Sequence, residues 1–258
     1  MQIIRYKQKG TAPQYGWINS AEALVGPLSG APFGAYRRLG ASIPLKEITL
    51  LAPCEPGKIM AVGRNYPEHA REHGVEIPEV PLIFTKPLSS LIGPGETIVL
   101  PPQSQRVEHE AELAVVIARK GRWIPLEKAK NYILGYTAAN DVTARDLQNR
   151  DGQWTRAKGF DTFCPLGPWI ETELDPADAL VTCRVNDELR QMASTREMVF
   201  SVAQLIVYVS SFMTLEPGDV LLTGTPAGVG PLAPGDRVEV EIEGIGKLVN
   251  PVKADAHI

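Results

Sequence analysis

Apolar positions in this chain recur mainly in short runs closed off by turn residues. Four runs, Lys58-Ile59-Met60-Ala61-Val62, Thr97-Ile98-Val99-Leu100, Val220-Leu221-Leu222 and Val238-Glu239-Val240-Glu241-Ile242, each follow a Pro-Gly pair. A turn feeding a short β-rich run predicts a strand. No fixed period separates these segments, so no solenoid is implied. Ile3-Ile4-Arg5-Tyr6 and Tyr15-Gly16-Trp17-Ile18 form further short runs. They predict a small β-rich module over residues 1–52, joined at Ala52-Pro53 to a larger β-rich domain over 53–258. Helical spacing is confined to Leu126–Ile133, opened by Pro125, and to Ser201–Phe212. Short helices are expected at Tyr66–His73, with Pro67 suited to a first turn, and at Thr143–Gln148. The predicted class is mainly β with short helices, α+β.

Composition narrows the function classes. A chain of 258 residues holds one large domain, or one plus a small partner. With 44% hydrophobic and 22% charged residues it has the make-up of a folded globule. Lys and Arg number 26 against 30 Asp and Glu, net −4, so no broad basic field points to nucleic acid. No apolar run approaches the roughly 18 residues of a membrane span. The N-terminal Met-Gln-Ile-Ile-Arg-Tyr-Lys lacks the apolar stretch of a signal peptide. Cys54, Cys164 and Cys183 are odd in number and far apart, which argues against a disulfide framework. The expectation is a cytoplasmic protein whose partner is a small molecule.

The densest chemical signal is Val107-Glu108-His109-Glu110-Ala111-Glu112-Leu113-Ala114-Val115-Val116-Ile117. Side chains alternate faces along a strand, so Glu108, Glu110 and Glu112 share one face. Carboxylates stacked beside a buried run are costly unless a cation neutralises them or water reaches them. A second apolar run, Tyr132–Ala139, ends in Asn140-Asp141 and brings Asp141 to the same place if the two runs pair. Oxygen donors without Cys or paired His suit a hard cation, Mg²⁺ or Mn²⁺, which keeps positions open for substrate oxygens. The plainer alternative is an exposed edge strand with solvated glutamates. His109 faces the other way and reads as a packed or surface histidine.

The second signal is Gly63-Arg64-Asn65-Tyr66-Pro67-Glu68-His69-Ala70-Arg71-Glu72-His73-Gly74. His69 and Glu72, three apart, share a helical face. A carboxylate beside a histidine stabilises the imidazolium formed on proton pickup, the arrangement of a general base. His69-Ala70-Arg71-Glu72-His73 also fits H-x-x-E-H, a zinc-protease signature. Gly74 and Pro78 close in on this helix, which leaves a short platform for zinc.

Taken together, these segments resemble the fumarylacetoacetate hydrolase family, in its acylpyruvase, diene-dioate isomerase and oxaloacetate decarboxylase branch. The resemblance is carried by Gly63–Tyr66 with His69 and Glu72, by Phe84-Thr85-Lys86-Pro87, and by His109–Ile117. It continues through Asn140–Gln148, Lys158-Gly159-Phe160-Asp161 and Leu222–Gly230, in consistent order from about Ile59 to Val252. It implies a mixed β-sandwich roll, a homodimer, and Mg²⁺ or Mn²⁺ on Glu110, Glu112 and Asp141, with Glu108 outside the ligand set. It further implies a lid over 63–80 that brings in His69 and Glu72, with Lys158 beside the metal.

Arg145, Gln148, Thr225 and, more weakly, Lys86 are the implied contacts to a 2-oxo or β-diketo acid. The expected reaction is hydrolysis of a carbon–carbon bond in an acylpyruvate, with pyruvate and a carboxylic acid as products. Isomerisation of a 2-hydroxy-dienedioate, or oxaloacetate decarboxylation, is the alternative on the same metal platform. A non-catalytic 2-oxo acid binder is the remote one. Read without the resemblance, Lys158 is a solvated surface lysine, and Arg145 and Gln148 are helix-surface polarity.

Overall fold

The computed structural model describes residues 1–256. Strands dominate and helices are short, as the pattern predicts. The four runs after Pro-Gly pairs form strands Ile59–Gly63, Ile98–Leu100, Val220–Leu222 and Arg237–Ile242. In three of those pairs the glycine has φ of +77° (Gly95), +86° (Gly218) and +96° (Gly235), a region that glycine enters without steric cost.

One large sheet runs in the order Ile43–Pro44, Leu24–Pro27, Gln14–Asn19, Gln2–Lys7, Cys164–Glu171, Ile133–Asn140, Ala111–Ile117, Val220–Leu222, Ile59–Gly63, Leu82–Lys86. A second sheet runs Glu188–Ser194, Leu180–Val185, Arg237–Ile242, Gly246–Ala254, Ile98–Leu100. A small third one joins Thr143–Ala144, Val107–His109 and Gly230–Pro231. Most pairs are antiparallel; Val220–Leu222 runs parallel to Ile59–Gly63. The N-terminal strand belongs to the large sheet, with Ile3 opposite Ile170.

Ala111–Ile117 is buried along its whole length. Leu113, Val115 and Ile117 face a core shared with Val181, Cys183, Val240 and Leu248 of the second sheet. Ala114 and Val116 face the opposite core with Ile3, Ile59, Ala61 and Leu222. A strand packed on both faces reads as a continuous apolar run rather than an alternating one, which is what Leu113–Ile117 does. Each of Leu113, Val115, Val116 and Ile117 contributes about 1.5–3 kcal/mol on burial, which offsets the cost of carrying Glu112 inside.

Two helical expectations shift. Leu126–Tyr132 is a 3₁₀ helix, and the helix expected at Thr143–Gln148 occupies Arg145–Asp151. Thr143 and Ala144 are claimed by pairing with Glu108 and Val107. The Ser201–Phe212 expectation matches a helix over Val202–Phe212, opened by a capping box between Ser201 and Gln204.

All three cysteines are free and buried, and burial pushes each thiol up to about 12. A protonated, inaccessible thiol is a poor nucleophile. Ellman's reagent at pH 8 is therefore expected to find no reactive thiol in the native protein and three after urea unfolding. A stoichiometric native reaction would contradict this packing.

Candidate active site

The run from Val107 to Ile117 is broken at Glu110. Val107–His109 pairs into the small sheet and Ala111–Ile117 into the large one. Glu110 sits at the junction, tied by its N–H to Asn140 Oδ1 at 2.9 Å, while its carbonyl accepts Asp141 N–H at 2.8 Å. The pairing of Ala111 opposite Asn140 places Asp141 beside Glu110. Carboxylate oxygens of Glu110, Glu112 and Asp141 lie within 4.8 Å of one another. All three side chains are buried, so the edge-strand alternative fails.

Glu108 is buried too but serves a different partner. Its Oε2 accepts Arg145 Nε at 2.7 Å and its Oε1 accepts Arg106 Nε at 2.6 Å. Arg145 also donates to Glu110 Oε1 and, through Nη1, to Gln148 Oε1 at 2.5 Å. Lys158 Nζ bridges Glu110 Oε2 at 2.6 Å and Asp141 Oδ2 at 2.7 Å, and it lies 5.1 Å from the Phe84 ring centre. Lys158 is thus a buried ammonium, not the surface lysine that its context suggests. Lys86 Nζ donates to Asp141 Oδ1 at 2.6 Å, which fixes the carboxylate from behind.

Charge decides what this cluster can hold. Among its groups at most 5% exposed, Glu108, Glu110, Glu112 and Asp141 are four anions, and Lys86, Arg145 and Lys158 are three cations. Arg106, on the rim, adds a fourth cation against Glu108, and among the described residues none of the four pairs with Glu112. Burial opposes ionisation of Glu110, but Lys158 and Arg145 win and hold its carboxyl well below the usual range. Glu112 goes the other way: burial, then the charges of Asp141 and Glu110, push it well above the usual carboxylate range. Among the described residues Glu112 has no ion-pair partner, only the Gly224 N–H at 2.6 Å. A hard divalent cation fits this oxygen donor set and supplies the charge that Glu112 lacks.

The Gly224 turn is held by Asn65. Asn65 Nδ2 donates to Thr223 O at 2.8 Å and Phe200 O at 3.0 Å, and Oδ1 accepts Phe200 N–H at 2.8 Å. A Cβ on Gly224 would stand 2.7 Å from Asn65 Cβ, so only glycine lets the two segments meet. Asn65→Ala is expected to cost on the order of 2–3 kcal/mol through orphaned buried groups. A melting temperature within a degree of wild type would overturn that role.

His69 and Glu72 lie on the helix Pro67–Glu72, which has Pro67 in its first turn. It closes in a Schellman motif, with Val75 N–H bonded to Ala70 O, Gly74 N–H bonded to Arg71 O, and Gly74 at φ +63°. The cavity beside it, ≈ 380 Å³, is lined by His69, Glu110, Glu112, Arg145, Gln148 and Lys158, together with Arg64, His73 and Thr225. Burial lowers the His69 imidazole to about 4, so the ring is neutral at physiological pH. The expected His69–Glu72 hydrogen bond is not formed. Nδ1 is 3.5 Å from Glu72 Oε2 and has no hydrogen-bond partner among the described residues, while Glu72 accepts the Gly228 N–H at 3.2 Å. Thr225 also differs from expectation as a donor: its hydroxyl is spent on Ala111 O at 2.9 Å.

One residue that the sequence did not single out helps to shape the site. Gln191, 1% exposed, receives the Ala111 N–H and donates to Thr225 Oγ1 at 2.7 Å. Its Oε1 also meets His109 Nδ1 at 3.0 Å, so His109 is the packed histidine of the two expected alternatives. Gln191 lies on the strand Glu188–Ser194, far along the chain, and nothing in its local sequence marks it.

Residues 58–253 match the fumarylacetoacetate (FAA) hydrolase C-terminal family, and residues 1–53 match the Rv2993c-like, N-terminal family. The chain is 52% identical over 217 residues to uncharacterized protein MJ1656 of Methanocaldococcus jannaschii, spanning 84% of this chain and 89% of that one. It is 47% identical over 233 residues to the mitochondrial oxaloacetate tautomerase Fahd2a of Rattus norvegicus, spanning 84% of this chain and 74% of the relative. The solved structure of 5-carboxymethyl-2-hydroxymuconate delta-isomerase from Mycobacterium smegmatis matches with a TM-score of 0.92 at 45% identity, over 99% of this chain and 100% of that one.

Proposed function

The chain belongs to the fumarylacetoacetate hydrolase family, and from that premise we propose that it is a divalent-cation-dependent tautomerase or isomerase of a 2-oxo dicarboxylic acid. The observation that carries this reading is a buried, neutral imidazole sharing one cavity with Glu110 and Glu112, whose carboxylates cluster with that of Asp141. The similarity to an oxaloacetate tautomerase and to a hydroxymuconate isomerase supports it.

Glu110, Glu112 and Asp141 would hold the cation, which would supply positive charge against the negative charge that develops on the 2-oxo oxygen. His69 takes the proton from C3 of the 2-oxo acid and returns it to the enolate oxygen. The sum is an isomerisation that consumes no water. Lys158 spends two hydrogens on Glu110 and Asp141 and has a third for a substrate oxygen. Arg145, locked by Glu108, Glu110 and Gln148, presents its remaining N–H groups to a carboxylate without losing side-chain freedom on binding. Arg64 lines the cavity and, among the described residues, makes no ion pair, which suits a second carboxylate.

Acylpyruvate hydrolysis is the second reading, favoured by Glu72 standing 3.5 Å from His69 Nδ1. A small closure would bring the two into contact. His69 would then deprotonate water, which adds to the distal carbonyl and releases pyruvate and a carboxylic acid.

The deciding experiment offers Mg²⁺- or Mn²⁺-loaded protein enol-oxaloacetate, acetylpyruvate and fumarylpyruvate. Decay of the enol absorbance is followed alongside coupled pyruvate detection. Cation-dependent loss of the oxaloacetate enol without pyruvate release is expected. Stoichiometric pyruvate from a diketo acid would replace the proposal by hydrolysis, and pyruvate from oxaloacetate alone would replace it by decarboxylation.

A further inference from the structure

The carboxylate cluster leaves a second constellation in the same wall unexplained. His69 and Glu72 stand at i and i+3 on the helix and His73 caps its C-terminus at i+4, and one ligand atom from each lies within 4.8 Å of the others. The two rings meet edge to face, their centroids 4.6 Å apart. His69 Nδ1 and His73 Nε2 are both buried, and among the described residues both lack a hydrogen-bond partner. His69 as a whole is 7% exposed. Two orphaned imidazole nitrogens this close together are costly unless something takes their lone pairs.

We infer that His69, Glu72 and His73 form a second cation site, for a borderline transition ion of the Zn²⁺ type, and that filling it stops the reaction. The donor set separates it from the carboxylate cluster. Two imidazoles and one carboxylate favour Zn²⁺, Co²⁺ or Ni²⁺, whereas three carboxylates favour Mg²⁺ or Mn²⁺. The platform is fixed at both ends. Gly74 closes the helix, and the Gly228 N–H holds Glu72 in place from the facing loop. The Glu72 side chain is 35% exposed and gives the ion a way in.

The inhibitory half of the inference rests on the proposed role of His69. A neutral imidazole has one N–H and one lone pair. An ion on Nδ1 leaves the ring's hydrogen on Nε2, so no lone pair remains to accept a proton from substrate. The metal-binding half stands without that role.

The test uses full-length protein saturated with Mg²⁺, which blocks the carboxylate cluster, titrated with Zn²⁺ against a chromophoric chelator. One further equivalent of Zn²⁺ is expected to bind. His73→Ala should weaken it by at least the roughly 10–100-fold that loss of an outer-shell metal partner costs. Glu72→Gln, which keeps the shape of the helix, should weaken it too, and Glu112→Gln should leave it intact. Co²⁺ in place of Zn²⁺ should give visible absorption in wild type that His73→Ala loses. Absence of the extra equivalent, or its survival in both helix variants, overturns the site. Zinc that binds there without slowing turnover would leave the site standing and remove His69 from the proposed reaction.

Discussion

Glu112→Gln is expected to lower turnover by about 10³-fold or more, the several kcal/mol that a Lewis acid contributes to stabilising an enolate. Divalent-cation binding, read by calorimetry, should weaken in parallel. Glu112 is the informative position because its removal orphans no cation. Among the described residues its only hydrogen bond is from the Gly224 N–H, and a Gln oxygen can accept the same bond. Without a cation the buried charge of Glu112 is unfavourable, pushed up by burial and by Asp141 and Glu110. The metal-free variant should therefore melt at or above the metal-free wild type, while the rise in melting temperature on adding Mg²⁺ disappears. Glu110→Gln would confuse the result. It strips a partner from both Arg145 and Lys158, and breaking a buried pair costs about 3–5 kcal/mol. Wild-type cation affinity in Glu112→Gln would remove that residue from the ligand set.

His69→Ala is expected to cut tautomerisation by about 10²–10⁴-fold, the range that a positioned general base supplies. Cation binding should stay within a few-fold of wild type, because His69 lies outside the cluster of Glu110, Glu112 and Asp141. The two variants then dissociate: one loses cation and chemistry together, the other loses chemistry alone. Glu72→Gln tests the second reading of His69. Glu72 is hydrogen-bonded to Gly228 rather than to the ring, so a proton transfer made in this geometry should lose little. Hydrolysis made after a closure that brings Glu72 onto the ring should lose much more. A His69→Ala enzyme with full tautomerase activity would end the proton-transfer proposal.

Much of this molecule is written in local chemistry. The Pro-Gly turns mark strands because the glycines at 95, 218 and 235 supply a left-handed turn residue just ahead of a β-rich run. Pro67 and Gly74 delimit a six-residue helix for equally local reasons, one fixing φ at the start and the other closing the Schellman turn. The grouping of Glu110, Glu112 and Asp141 was readable only in part: spacing placed Glu108 with them and brought in Asp141 only if two apolar runs paired, and the family resemblance singled out the three.

Other features depend on groups brought together across long stretches of chain. The sequence around Lys158 describes a polar helix end, yet the fold buries its ammonium between carboxylates 48 and 17 residues away. Alternation put Glu108 beside Glu110 and Glu112. A break in the strand at Glu110, where two sheets compete for the backbone, turns Glu108 towards Arg145 instead. Gln191 carries no local signal because its partners lie 34 to 82 residues away. Sequence alone determined most of the strands and the short helix, which follow from neighbours along the chain. Tertiary structure decided which of four buried carboxylates keep a cation of their own. That balance leaves Glu112 without an ion pair among the described residues, which is the basis of the proposed divalent-cation site.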